Sequence, residues 1–194
     1  MSSQFLNRNH VNFSAVAVKM TYCMNTVILI FLGVLSRVVP HPANVTAVGG
    51  LAIFSGARLE FKKAIVVTLV TMFLSDIILG FHSVMWATYG SLGLAVMLGR
   101  FLQKRSSIKQ IVTLTFVSSL LFYLITNFAV WAIPGSMYPK TLSGLLQSYI
   151  MALPFFRNSL LGDMGYSFIF FGAYEFVKMY KNIFVKKTYV KNSF

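Results

Sequence analysis

TVILIFLGVL-SRVVPHPAN-VTAVGGLAIF, residues 26–54, is the stretch whose reading decides the fold. Two apolar runs flank a link, Ser36 to Asn44, that holds Arg37, Pro40, His41, Pro42 and Asn44. A plain turn needs only a few small polar residues. The flanking runs are uncharged and suit lipid. The link therefore belongs to one side of a membrane, and its unusual content has to be explained by what else lies on that side.

Working outward, the rest of the chain has the same character. Of 194 residues, 57% are hydrophobic and only four are acidic, and the mean hydropathy is +0.72. A soluble domain of this size needs far more charge to cover its surface. The formal net charge of +13 does not indicate nucleic acid, because the cations fall in clusters between apolar runs. The single cysteine, Cys23, excludes an internal disulfide and a cysteine metal cluster. The polar start, MSSQFLNRNH, has no cleavable signal pattern.

These features predict an all-α integral membrane protein with one domain over residues 1–194. Six spans are expected, at about residues 20–36, 45–59, 64–81, 84–102, 108–133 and 158–177. The second is short, but Gly49, Gly50, Ala52 and Gly56 suit close helix packing. Segment 141–156, TLSGLLQSYIMALPFF, is apolar but short, and Pro154 interrupts it. Charge decides its reading. With cytoplasmic N- and C-termini, six spans leave only Arg37, Lys140 and Arg157 outside, and the other fourteen of the seventeen cations inside. A seventh crossing would export the C-terminal lysines. Segment 141–156 is therefore expected to be re-entrant or interfacial, and the protein a multi-pass protein of the cytoplasmic (inner) membrane.

In this orientation the polar residues that lipid spans avoid gather in the outer half. The third span ends SDIILGFH, with Asp76 and His82. The fourth carries Trp86 and Tyr89, the fifth ends TNFAVW with Asn127 and Trp131, and the segment before the last span supplies Tyr149. The last span opens RNSLLGD, giving Arg157, Asn158 and Asp163. A carboxylate in mid-membrane costs about 2.5–3.5 kcal/mol on insertion scales, so both aspartates must face protein or water. With Arg37, His41 and Asn44 of the link, these residues make an outward-facing binding pocket. Each also has a plainer reading. The aspartates could be structural partners of Arg37 and Arg157, the tryptophans an interfacial belt, and the prolines stiffeners of a turn.

RVVPHPAN, SDIILGFH, TNFAVW and GLLQSYIMALPFFRNSLLGD, spread over residues 37–163, together resemble a bacterial six-span membrane family. That family is itself similar to the substrate-binding S components of energy-coupling factor (ECF) vitamin transporters. The resemblance implies a six-helix bundle holding a small molecule near its outer face, with Arg37, His41, Asn44, Asn127, Trp131 and Asp163 as lining candidates. It also implies an ATPase and a coupling subunit supplied by separate chains. The first span, MTYCMNTVILIFLGVLS, lacks the Ala-x-x-x-Ala surface on which a coupling subunit packs in many S components.

The expected function is capture of a small polar or heterocyclic, vitamin-like metabolite for uptake, with no cofactor and no catalytic residue. No phosphate-cradling Gly-x-x-x-x-Gly-Lys-Ser/Thr loop is present, so energy must come from a partner. Two other readings stay open. One is a small intramembrane enzyme pairing His41 or His82 with Asp76 or Asp163; no serine or cysteine lies in a nucleophile motif. The other is metal-ion uptake through the same four residues.

Overall fold

A computed structural model of the chain describes residues 26–103 and 106–191, with side chains as far as Met179. The start of the expected first span, Cys23, and four of the counted cations, Arg8, Lys19, Lys104 and Arg105, lie outside the described residues.

Among the described residues the chain is all helix, with no strand. The order is α1 (Thr26–Val38), then α2 (Val48–Arg58), α3 (Phe61–Leu79), α4 (Met85–Arg100), α5 (Ile108–Ala132) and α6 (Leu142–Lys191). Helix ends follow local chemistry. Ser107 and Gln110 form a reciprocal capping box at the start of α5. Gly80, at φ 97°, ends α3 in a conformation that a side chain resists.

Among the described residues one helix, α5, is long and apolar enough to cross a membrane by itself; α1 is a shorter apolar helix. The expected crossing at 45–59 is only 11 helical residues, about 16 Å at 1.5 Å per residue. Six helices are present among the described residues where six spans were expected, and of these α5 alone has the length and hydropathy of a span.

Helix α2 lies at the centre, against α3, α4, α5 and α6. Its glycines allow this. A Cβ on Gly56 would strike the Val96 carbonyl, and one on Gly99 would strike the Ile53 carbonyl, so α2 and α4 touch backbone to backbone. Leu51, Ile53, Val67 and Val96 fill the centre completely buried.

The re-entrant or interfacial segment does not exist as a separate element. Residues 142–191 are one helix of 50 residues that runs through Pro154. A proline inside a helix removes one backbone bond and crowds a carbonyl, but here packing on both sides of it holds the helix together. Tyr149 and Phe156 both lie on the ring of Tyr123 in α5, at 5.6 and 4.8 Å, and the Tyr123 hydroxyl donates to the Tyr149 carbonyl at 2.7 Å.

Hydroxyl side chains join the apolar core, and many large apolar side chains face outward. Thr68, Thr71, Ser75, Ser91, Thr115 and Ser119 are buried between helices. Five of these hydroxyls donate to the carbonyl one turn back, as Thr71 does to Val67 at 2.8 Å. Meanwhile Phe31, Ile78, Met97 and Ile169 are more than half exposed. One end is basic: Arg58 binds Ser106 at 2.6 Å and Glu175 at 3.3 Å, and its guanidinium lies 4.7 Å from the Tyr174 ring centre.

Candidate functional site

The link between α1 and α2 folds into a fixed shape. Ser36 Oγ donates to Gly33 O at 2.7 Å and accepts the Ala47 N–H at 3.0 Å, closing both ends of the link. Val45 N–H donates to Pro42 O at 3.0 Å, a turn whose third residue, Asn44, has φ 63°. Asparagine tolerates that left-handed conformation. Asn158 on α6 donates to Ala43 O at 3.0 Å, and Gly162 gives the Val45–Thr46 backbone room to lie against α6.

Beneath this link is a cavity of about 140 Å³. Arg37, Asn44, Thr46 and Gly49 line it from the link side, Thr88 and Ser91 from α4, Ser118 and Phe122 from α5, and Ser159 and Asp163 from α6. A neighbouring cavity of about 130 Å³ shares Asn44, Phe122 and Ser159 and adds Asn127 and Tyr123.

Two carboxylates flank the first cavity differently. Asp76 stands behind its wall, 1% exposed and 2.6 Å from Arg37 Nη1. Ser75 Oγ accepts from the same nitrogen at 2.6 Å, and the Tyr89 hydroxyl donates to the second Asp76 oxygen at 2.8 Å. Of the two structural pairings entertained from the sequence, this one exists. The other does not: Arg157 is exposed and Asp163 accepts from Ser119 Oγ at 2.7 Å instead. The Asp163 carboxylate also sits where a Cβ on Gly49 would be, at the N-terminus of α2, where free N–H groups and the helix dipole favour an anion.

A family model described as "Family of unknown function (DUF6580)" matches residues 18–186. The chain belongs to that family. No curated protein and no solved structure matches it. The description of DUF6580 names no activity, substrate or partner.

Of the residues expected to bind, Arg37, Asn44 and Asp163 meet at the first cavity and Asn127 at the second. Asp76 holds Arg37, and Asn158 holds the link. The others line neither of these two cavities. His41 is exposed, with Nδ1 2.6 Å from Val39 O, and His82 is exposed on the α3–α4 loop. Trp86 is 62% exposed. Trp131 donates to Pro139 O at 3.0 Å, and Tyr149 packs on Tyr123 with its hydroxyl on Leu124 O at 3.1 Å. Among the described residues no three His, Cys, Asp or Glu side chains gather as a metal site. Among the described residues, neither His41 nor His82 bonds to Asp76 or Asp163.

Sequence reasoning missed Ser75, Ser118, Ser119, Thr88, Ser91 and Ser159. Their signal was spacing: Thr68, Thr71 and Ser75, and Thr115, Ser118 and Ser119, recur at three to four residues and so share one helix face.

Proposed function

We propose that this DUF6580 member is a multi-pass membrane protein that captures a small polar molecule in the cavity between Arg37 and Asp163 for uptake. The observation that carries this reading is the gathering of Arg37, Asn44 and Asp163 around one cavity inside a bundle whose outer surface is apolar.

Several features support the membrane setting. Only 22% of the most apolar window of α5 is buried, so α5 is unlike the core helix of a soluble protein. Broad exposed apolar surface with hydroxyls inside suits lipid, not water. Arg58, Lys63, Arg100 and Lys178 share the end opposite the link, in keeping with cytoplasmic termini and an outward-facing cavity. Helix α2 makes half a crossing and the irregular link makes the rest. Non-helical backbone is tolerated at membrane depth where it lines a cavity.

The size of the cavity narrows the ligand. An apolar cavity of about 150 Å³ holds one benzene ring, so this one suits roughly six to nine non-hydrogen atoms, smaller than most vitamins. The link, already fixed by Ser36, Asn44 and Asn158, loses little freedom when it covers a ligand. The resemblance to ECF S components supports a capture subunit driven by an ATPase and a coupling subunit on other chains.

Purified protein should be screened against small polar metabolites by thermal shift. At least one should raise the melting temperature saturably, and Ser91→Phe, which fills the cavity, should abolish that shift. A shift unchanged in Ser91→Phe would place binding elsewhere and end this reading.

A further inference from the structure

All four acidic residues are described, and three are in ion pairs. Glu60 pairs with Lys63, Asp76 with Arg37, and Glu175 with Arg58 and Lys178. Asp163 is the exception. It is 8% exposed, it lines the cavity, and its hydrogen-bond partners, the Ser119 hydroxyl and the Gly50 backbone N–H, are both neutral. The N-terminus of α2 offers it the equivalent of about half a charge, which leaves the carboxylate only partly compensated. A buried charge without a partner is strongly unfavourable.

Arg37 is the complement on the same cavity. All its contacts run through one nitrogen, Nη1: Ser75 Oγ and Asp76 Oδ1 at 2.6 Å, Met72 Sδ at 3.3 Å and Met72 O at 3.4 Å. Nε and Nη2 take no partner among the described residues. Asp76 thus holds the guanidinium by one corner and leaves N–H donors unused at the cavity wall, where a guanidinium suits a carboxylate.

We propose that the ligand is a small zwitterion. Its ammonium group supplies the positive charge that Asp163 lacks, and its carboxylate meets the free edge of Arg37. This rests on the capture reading and specifies its substrate class. The cavity of about 140 Å³ admits an amino acid of roughly six to nine non-hydrogen atoms. The hydroxyls of Thr88, Ser91, Ser118 and Ser159 would serve its remaining polar atoms.

The test is calorimetry on the full chain in lipid nanodiscs. The probes are L-alanine, L-proline and β-alanine, each beside its amine-free acid, its carboxamide and its N-acetyl derivative, with imidazole and pyrazine as uncharged rings. At least one amino acid should bind. Removing either of its charges should weaken binding by about thirtyfold or more, as for a broken buried charge pair. Asp163→Asn should weaken the amino acid by a similar factor and leave its amine-free acid unaffected. If Asp163→Asn fails to fold, the analogue series on the unaltered protein decides. An uncharged ring binding as tightly as any amino acid, or an amino acid whose affinity ignores Asp163→Asn, overturns the zwitterion and leaves the capture site standing. Folded protein that binds none of the probes overturns both.

Discussion

Gly49 and Asp163 meet with no room for a side chain between them: a Cβ on Gly49 would fall on the Asp163 carboxylate. This contact joins the start of α2 to α6 and fixes where the buried carboxylate stands. Gly49→Ala should push Asp163 off the N-terminus of α2. Forced overpacking costs about 1–3 kcal/mol, so the melting temperature should fall, and ligand binding with it. An unchanged melting temperature would mean that the contact is not tight.

A second pair of glycines tests the central position of α2. Gly56 touches the α4 backbone, whereas Gly93 on α4 has nothing within 4 Å of an added Cβ. Gly56→Ala should wedge α2 from α4 and destabilise by about 1–3 kcal/mol. Gly93→Ala should stabilise by about 0.5–1 kcal/mol, because glycine is the poorer helix former. Thermal unfolding in detergent reads both, and equal effects would contradict the packing described.

The Arg37–Asp76 pair should be costly to break from one side. Asp76→Asn leaves Arg37 without its counter-charge, for a loss of about 3–5 kcal/mol. Tyr89→Phe removes only a hydroxyl donor and should cost about 1–3 kcal/mol. Combining Asp76→Asn with Arg37→Met should recover part of the loss, since no charge remains unpaired. Additive losses in that double mutant would show that the two side chains act independently.

Asn44 offers a test of the link. At φ 63° glycine is at ease and a β-branched residue is strained. Asn44→Gly should keep the fold, while Asn44→Val should lose about 1–3 kcal/mol. If both behave alike, the turn at Pro42–Val45 does not hold the link.

Position along each helix was legible in the sequence, and helix face was not. Clusters such as Lys62–Lys63 separated the two ends, so Asp76, Asn127 and Asp163 could be assigned to the half that holds the cavities. Trp86 belongs to the same end of the bundle and was expected in the site, yet it is exposed. The 3.6-residue period explains why: Thr88, Ser91, Leu92 and Ala95 share the cavity face of α4, while Trp86, Gly90 and Met97 lie on the exposed face. Pro154 misled for a related reason. A proline marks a break only where nothing else holds the helix, and Tyr123 on α5 packs against both sides of it. Arg37 fell within the link in the sequence, but it occupies the last turn of α1, from where it reaches Asp76.

The most direct test of the account compares two residues of α5 at almost the same depth. Ser118 lines the cavity and is 7% exposed, whereas Phe116 is 44% exposed on the outer surface. In a Cys23→Ala background, Ser118→Cys and Phe116→Cys should be treated in intact cells with a small, membrane-impermeant thiosulfonate. Such reagents need a thiolate, which water permits and lipid suppresses. Ser118→Cys should be modified from outside and Phe116→Cys should not. An inert Ser118→Cys beside a reactive Phe116→Cys would contradict both the cavity and the lipid-facing surface.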